Sequence, residues 1–223
     1  MLIQTAVRRG SPQGRLPIEG QDDVGGSIDC MGALISYRRN DEIYGEGEPA
    51  DYLYKVVSGT ARTSKVLADG RRQIGSFYVA GDVFGLETGE EHSFSAEAIS
   101  DCKLIVIRRS ALVALAARNH DMARQLWAIT SMELRRVQEH ILLLIKSARQ
   151  RVATFLLEMA ERIPAGNAVE LPMSRQDIAD YLGLTIETVS RNLTILENAA
   201  TIELPSSRRI VLRNRSALRR LNA

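Results

Sequence analysis

The sequence predicts an α+β chain in three parts: an N-terminal antiparallel β-roll of the cupin or jelly-roll kind, a long dimerisation helix, and a C-terminal winged helix-turn-helix. Three observations carry that reading. Between residue 30 and about residue 109, short β-branched and aromatic runs alternate with turn signals. From Ser110 to Lys146 the chain is free of glycine and proline and carries one narrow apolar stripe. From Ser174 to Leu212 it reads as capped helix, glycine turn, capped helix, then strand, turn, strand. The expected divisions are an arm over 1–26, the roll over 27–109, the dimerisation helix with its lead-in over 110–146, and the winged helix-turn-helix over 147–223.

Composition narrows the function classes. At 223 residues the chain is long enough for two modest domains or one large one, and 45% hydrophobic with 25% charged residues is ordinary for a soluble protein. No apolar run approaches the ~20 residues needed to span a bilayer, and no signal peptide is visible, so no membrane association and a cytoplasmic location are expected. Two cysteines, Cys30 and Cys102, are too few for a disulfide framework or a four-thiolate cluster. The overall charge of +2 says little, but from Ser147 onward there are 11 arginines and no lysine against 8 acids. Arginine-only basicity suits phosphate and guanine contacts.

Taken in order, residues 1–26 are rich in Gly, Pro, Gln, Ser and Asp without periodicity, and are expected to form a loosely packed arm. Strands are expected over Ala33–Arg38, Tyr52–Val57, Ala61–Leu67, Gln73–Val79, Phe94–Ile99 and Lys103–Ile107, with turns at Ser58-Gly59, Asp69-Gly70 and Ala80-Gly81-Asp82. In the long helix Met122, Leu126, Ile129 and Met132 recur at spacings of four, three and three. Val137, Ile141 and Leu144 resume the stripe after a slip near Arg135 and Arg136. A helix of roughly 25–30 residues with one seam cannot bury itself alone, so these seven residues are assigned to a coiled-coil-like dimer interface. The alternative is a helix lying on its own domain. A hinge near Lys146–Gln150 precedes an amphipathic helix over Arg149–Arg162, carrying Val152, Phe155, Leu156 and Met159. Ala168–Leu171 reads as a short strand and Arg215–Leu221 as a small terminal helix.

The helix-turn-helix occupies Ser174 to Ala200. Ser174 with Asp177 reads as a capping signal, and Ile178, Ala179 and Leu182 give that helix its apolar side. Gly183 permits a tight turn, Leu184 plugs it, and Thr185 caps the second helix. There Val189, Leu193 and Leu196 face inward, which leaves Glu187 and Arg191, four apart, on the outward face. Such a helix can enter a major groove with its N-terminal side chains at the base edges. Look-alikes occur in ordinary helical bundles, but Thr201–Leu204, Pro205–Arg209 and Ile210–Leu212 add a wing with Arg208 and Arg209 at its tip, placed for phosphates.

This order of parts resembles the cyclic-AMP receptor protein/FNR superfamily of bacterial transcription regulators over nearly the whole chain. The likeness rests on Leu184-Thr-Ile-Glu-Thr-Val-Ser-Arg191 after Gly183, on Ile141-Leu-Leu-Leu144 with Arg151-Val-Ala-Thr-Phe-Leu156, and on Gly81-Asp-Val-Phe-Gly85. Within the superfamily the chain is most similar to the FixK branch, which controls microoxic and nitrogen-fixation genes. The resemblance implies double-stranded DNA, a second copy of the chain and RNA polymerase as partners. It implies base contacts at Glu187, Ser190 and Arg191. The chemistry agrees: an arginine pairs bidentately with guanine, and a glutamate one turn earlier accepts from cytosine. A palindrome of the TTGA…TCAA type fits. Ile186 stands where the cyclic-AMP receptor has an arginine; it could touch a thymine methyl or belong to the core. Phosphate contacts are assigned to Ser174, Arg175, Thr185, Thr188, Arg208 and Arg209, with plain N-capping as the competing role for Ser174.

Departures from the family bear on what the chain senses. Where cyclic-AMP-binding relatives carry Gly-Glu and Arg-Ser, this sequence has Gly85-Leu86 and Phe94-Ser95. A nucleotide phosphate buried without a guanidinium would cost several kcal/mol, so cyclic-nucleotide binding in the usual mode is not expected. No cysteine precedes Cys30, unlike the iron–sulfur members, and His92, His120 and His140 stand singly, more as surface or packing residues than as haem ligands. No cofactor is expected. No catalytic spacing is present, and the Glu87…Glu90-Glu91 loop reads as a solvated turn or a polymerase-contacting patch. The reading is therefore a homodimeric, sequence-specific activator with no obligatory effector. Its competitors are a regulator with an unrecognised ligand in the roll and a scaffold dimer with a vestigial DNA domain.

Overall fold

The computed structural model describes residues 28–87, 89–163 and 165–222; the expected arm over 1–26 lies outside them. Eight strands form the N-terminal half: β1 (Ala33–Tyr37), β2 (Glu42–Tyr44), β3 (Tyr52–Ser58), β4 (Thr60–Val66), β5 (Arg72–Val79), β6 (Val83–Phe84), β7 (Ser95–Ala98) and β8 (Cys102–Arg108). They make two four-stranded antiparallel sheets, ordered β1-β8-β3-β6 and β2-β7-β4-β5. The sheets pack face to face, as a jelly roll requires. Strands β2 and β6 were not legible in the sequence, because three and two residues are too short for an alternating pattern. The tight β3–β4 turn needs Gly59: its φ is +83°, and a Cβ there would lie 2.2 Å from the Asp101 carbonyl oxygen.

The roll's interior is built from rings against small side chains. Tyr44, Tyr54, Tyr78 and Phe84 are buried beside Ala61, Ala96 and Ala98. Ring centroids lie 5.2 Å apart for Tyr44–Tyr54, 5.2 Å for Tyr54–Phe84 and 4.7 Å for Tyr78–Phe84.

The helical run predicted from Ser110 is broken. Helix α1 (Arg109–Ala116) ends, and Asn119 caps α2 (His120–Leu144), its side-chain oxygen accepting from the Asp121 and Met122 N–H groups at 2.9 and 3.0 Å. One assignment on α2 is corrected here. Met122 is 0% exposed and packs with Ile28, Leu53, Val83, Ile107 and Leu112 of its own chain. A side chain with no free surface cannot line a seam between two copies. The half-buried Leu126 and Ile129 pack against the same cluster, so the first half of α2 follows the alternative reading and lies on its own roll. Met132 is exposed but sits about 140° round the helix from Trp127. Trp127, Leu134 and Ile141, seven residues apart, are 76%, 58% and 59% exposed, and Ile145 at the helix's C-cap is 79% exposed. Val137, exposed, and Leu144, half-buried, flank that line.

Beyond a Ser147 capping box come α3 (Ala148–Arg162), β9 (Ala168–Glu170), α4 (Arg175–Leu182), α5 (Ile186–Asn198), β10 (Ile202–Glu203), β11 (Arg209–Leu212) and α6 (Arg215–Asn222). The two halves share a core. Ile74 and Phe77 of β5 pack with Phe155, Met159, Ile178 and Tyr181, with Phe77 and Tyr181 centroids 5.2 Å apart. Charge reinforces the joint: Asp82, from the Gly81–Gly85 motif, accepts from Arg162 at 2.7 Å and also pairs with Arg136.

Candidate nucleic-acid interface

Helix α4 starts at Ser174, whose hydroxyl oxygen accepts from the Asp177 N–H at 3.1 Å while Asp177 accepts from the Ser174 N–H at 2.9 Å. Gly183 ends the helix in the left-handed region, φ +60°, and donates its N–H to Ala179. Thr185 then caps α5 by accepting from the Thr188 N–H at 3.2 Å, and the two threonine hydroxyls lie 3.1 Å apart. The inward face of α5 is Val189, Leu193 and Leu196 with Asn192, which donates to the Thr188 carbonyl at 2.8 Å.

That packing decides which side chains remain outside. Glu187 and Arg191 are exposed one turn apart, with Ser190 half-buried between them. Ile186 is 37% exposed, so the core takes up only part of it. The Glu187 carboxyl is held below its usual range by its own backbone N–H and by the Thr185 hydroxyl, so it is ionised and can only accept. Ser174 is exposed and Arg175 half-buried at the start of α4. The wing pairs Ile202 with Leu212 and Glu203 with Val211. Arg208 and Arg209 are exposed at its tip, where Ser206 accepts from the Arg209 N–H at 3.1 Å. Arg209 also faces Glu170 at 3.5 Å, a carboxylate that would compete with a phosphate.

Three arginines join the helix-turn-helix to the rest of the chain, and of these only Arg151 lay in a motif of the sequence. Arg151 of α3 donates to the Leu182 carbonyl at 2.8 Å and to the Lys146 carbonyl at 2.9 Å, tying the helix-turn-helix turn to the end of α2. Arg62 and Arg72 of the roll pair with α4 through Asp177 and Asp180. Sequence spacing carries no signal for contacts between residues more than a hundred positions apart.

The remaining candidates fall elsewhere. His92 is buried and stacked on Tyr44, centroids 3.6 Å apart. His140 lies against Tyr181, and burial pushes its pKa down. Cys102 is buried, donating to the Thr60 and Ser100 carbonyls, and burial raises its pKa; Cys30 is exposed. Among the described residues no group of three His, Cys, Asp or Glu could hold a metal ion, and no helix is long and apolar enough to cross a membrane. A cleft of about 1000 Å³ remains between the roll and helices α2 and α3, lined by Phe94, Glu87, Glu133, His140 and Tyr181 among others.

Comparison with known proteins assigns this geometry. Residues 150–221 match a Crp-like helix-turn-helix domain and residues 34–119 a cyclic nucleotide-binding domain. The chain is 53% identical over 202 residues to the nitrogen fixation regulation protein FixK of Azorhizobium caulinodans, covering 88% of this chain and 82% of that protein. It is 42% identical to FixK of Rhizobium meliloti, covering 84% and 86%. The structure of FixK2 from Bradyrhizobium japonicum superposes with a TM-score of 0.83 at 52% identity, covering 86% of this chain and 98% of that one. These relatives are regulators rather than enzymes, and this chain, with a helix-turn-helix whose outward face is polar and open, belongs with them among the FixK-type transcription regulators of the CRP/FNR family.

Proposed function

We propose that the chain acts as a homodimeric activator of microoxic and nitrogen-fixation-type genes, binding a TTGA…TCAA-like palindrome without an obligatory effector. The observation that carries it is the outward face at the start of α5, with Glu187 and Arg191 exposed and Ser190 half-buried between them. Arg191 pairs with guanine O6 and N7, Glu187 accepts from cytosine N4, and Ile186 meets a thymine methyl. Ser174, Arg175, Thr185, Thr188 and the wing's Arg208 and Arg209 hold phosphates and set the register. Trp127, Leu134, Ile141 and Ile145 form the seam between two α2 helices, flanked by Val137 and Leu144. Burying these exposed apolar groups against a second copy sets two recognition helices about one DNA turn apart. The protein works in the cytoplasm, and RNA polymerase is its further partner. Effector independence is supported by Leu86 and Phe94, which line the cleft at positions where cyclic-AMP-binding relatives carry Glu and Arg.

The test is fluorescence anisotropy of the purified protein, in air and without ligand, on a TTGAT-N4-ATCAA duplex against a half-site-scrambled control at equal salt. Selective binding to the palindrome is expected. Equal binding to both duplexes would refute the site or the effector independence, and repeating it with cyclic AMP and then without oxygen separates the two.

A second reading has one specific observation behind it. Tyr44 Oη is buried without a hydrogen-bond partner among the described residues, Glu87 Oε2 faces His92 Nδ1 at 3.4 Å without a well-formed hydrogen bond, and both Tyr44 and Glu87 line the cleft. Buried unpaired polar groups are costly, and a small polar molecule there would satisfy them. A ligand that raises both the melting temperature and DNA affinity would favour this reading.

A further inference from the structure

We infer that Arg62 and Arg72 of the β-roll are positioning residues for DNA binding: through Asp177 and Asp180 they fasten α4, and with it the recognition helix, to the roll. The inference rests on reading α4 and α5 as the DNA-binding face.

The joint is a compact ion cluster drawn from both halves of the molecule. Arg62 donates to Asp177 Oδ1 at 2.5 Å and to Glu97 Oε2 at 2.8 Å. Arg72 Nη2 donates to the same Asp177 oxygen at 2.7 Å, and Arg72 Nε reaches Asp180 Oδ2 at 2.7 Å. Asp177 is buried, and the Arg62 side chain is only 10% exposed. Charges withdrawn from water in this way hold one arrangement, because losing a partner leaves an uncompensated buried charge. Burial alone would push the Asp177 carboxyl up, but the Ser174 hydrogen bonds and the two guanidiniums outweigh it and hold it below its usual range.

Position gives the cluster its consequence. Asp177 is the third residue of α4, beside the Ser174 end where a DNA phosphate is expected to approach. A bare carboxylate there would repel the phosphate; Arg62 and Arg72 offset its charge while also pairing with Glu97 and Asp180. Only Gly183, Leu184 and Thr185 separate α4 from α5, and Arg151 clamps that turn from α3. A shift of α4 therefore carries α5 with it. The roll itself thus sets how the recognition helix is presented, the task an effector would otherwise perform.

A charge-swap series on the full-length protein tests this. Arg72→Glu, Asp180→Arg and the double variant are compared with the parent by anisotropy on the palindrome and by hydrogen exchange of the 176–182 amides. Arg71→Glu is the control: it makes the same charge change one residue away, at a side chain 78% exposed and paired, among the described residues, with exposed Asp69. Arg72→Glu should weaken binding about tenfold and speed exchange in α4. The double variant should return to within about twofold of the parent, since the guanidinium introduced at position 180 would meet both Asp177 and the carboxylate introduced at position 72. Arg71→Glu should leave the exchange unchanged. If Arg72→Glu behaves like Arg71→Glu, binds more tightly than the parent, or is not rescued by the second change, the inference is overturned. Arg72→Gln serves if Arg72→Glu does not fold. Failure of the parent to prefer the palindrome would instead strike the proposed site or its effector independence, while the exchange pattern still reports on the cluster.

Discussion

Helices α5 and α2 each turn one face away from the chain's own core, and the two faces differ in chemistry. On α5 the outward side chains are Glu187, Ser190 and Arg191, which can donate and accept in fixed directions. On α2 they are Trp127, Leu134 and Ile141, which gain chiefly by being removed from water. A polar face of this kind is stable as it stands and acquires a partner through directional hydrogen bonds. An apolar face of this length is a standing free-energy cost, relieved when a like face covers it. The same helical periodicity thus presents two open faces of different chemistry, one suited to directional hydrogen bonds and one to burial against an apolar surface.

The largest expected effect breaks the apolar side of that contrast. Leu134→Glu combined with Ile141→Glu places carboxylates in the proposed seam. The variant should sediment as a monomer and bind the palindrome on the order of 100-fold more weakly, because avidity over two half-sites is lost. An unchanged dimer in analytical ultracentrifugation would remove α2 from the interface. Met122→Ala sharpens the same contrast along one helix. It should cost about 2–5 kcal/mol of stability by calorimetry, as a cavity in the roll's core does, while leaving the dimer intact.

The polar side is probed by smaller changes. Arg191→Ala should lose ~1–3 kcal/mol of binding and relax the preference for guanine; full discrimination in a base-substitution series would reassign the contact. Ser174→Asp keeps the N-cap but adds a charge where a phosphate is proposed to bind, so it should weaken all duplexes alike. Binding equal to the parent across a salt series would leave Ser174 as a cap only. Arg208→Ala should be mildest, lowering the slope of log K against log salt by about one without altering sequence preference.

What was legible in the sequence follows from range. Caps, turns and inward stripes depend on neighbours within a few residues, so Ser174, Gly183, Thr185 and Val189–Leu193–Leu196 were all readable. The same holds for the six longer strands and for the wing. The α2 stripe was only half readable. Met122, Leu126 and Ile129 have helical spacing on the face that meets their own roll, while Trp127, Leu134, Ile141 and Ile145 have it on another, exposed one. Periodicity shows that a face is apolar, and it is silent about what covers it.

By itself, then, the sequence determined the class of the molecule: a β-roll, a long helix and a winged helix-turn-helix with Glu187 and Arg191 on the open side. It could do so because local hydrogen bonding and side-chain periodicity are properties of short segments. Only the tertiary structure decided which face of α2 is core and which is surface. Only it brought Asp82 to Arg136 and Arg162, and Asp177 to Arg62 and Arg72. Those pairs join residues 54 to 115 positions apart. Their pairing is a consequence of how the two halves pack, which no local pattern encodes.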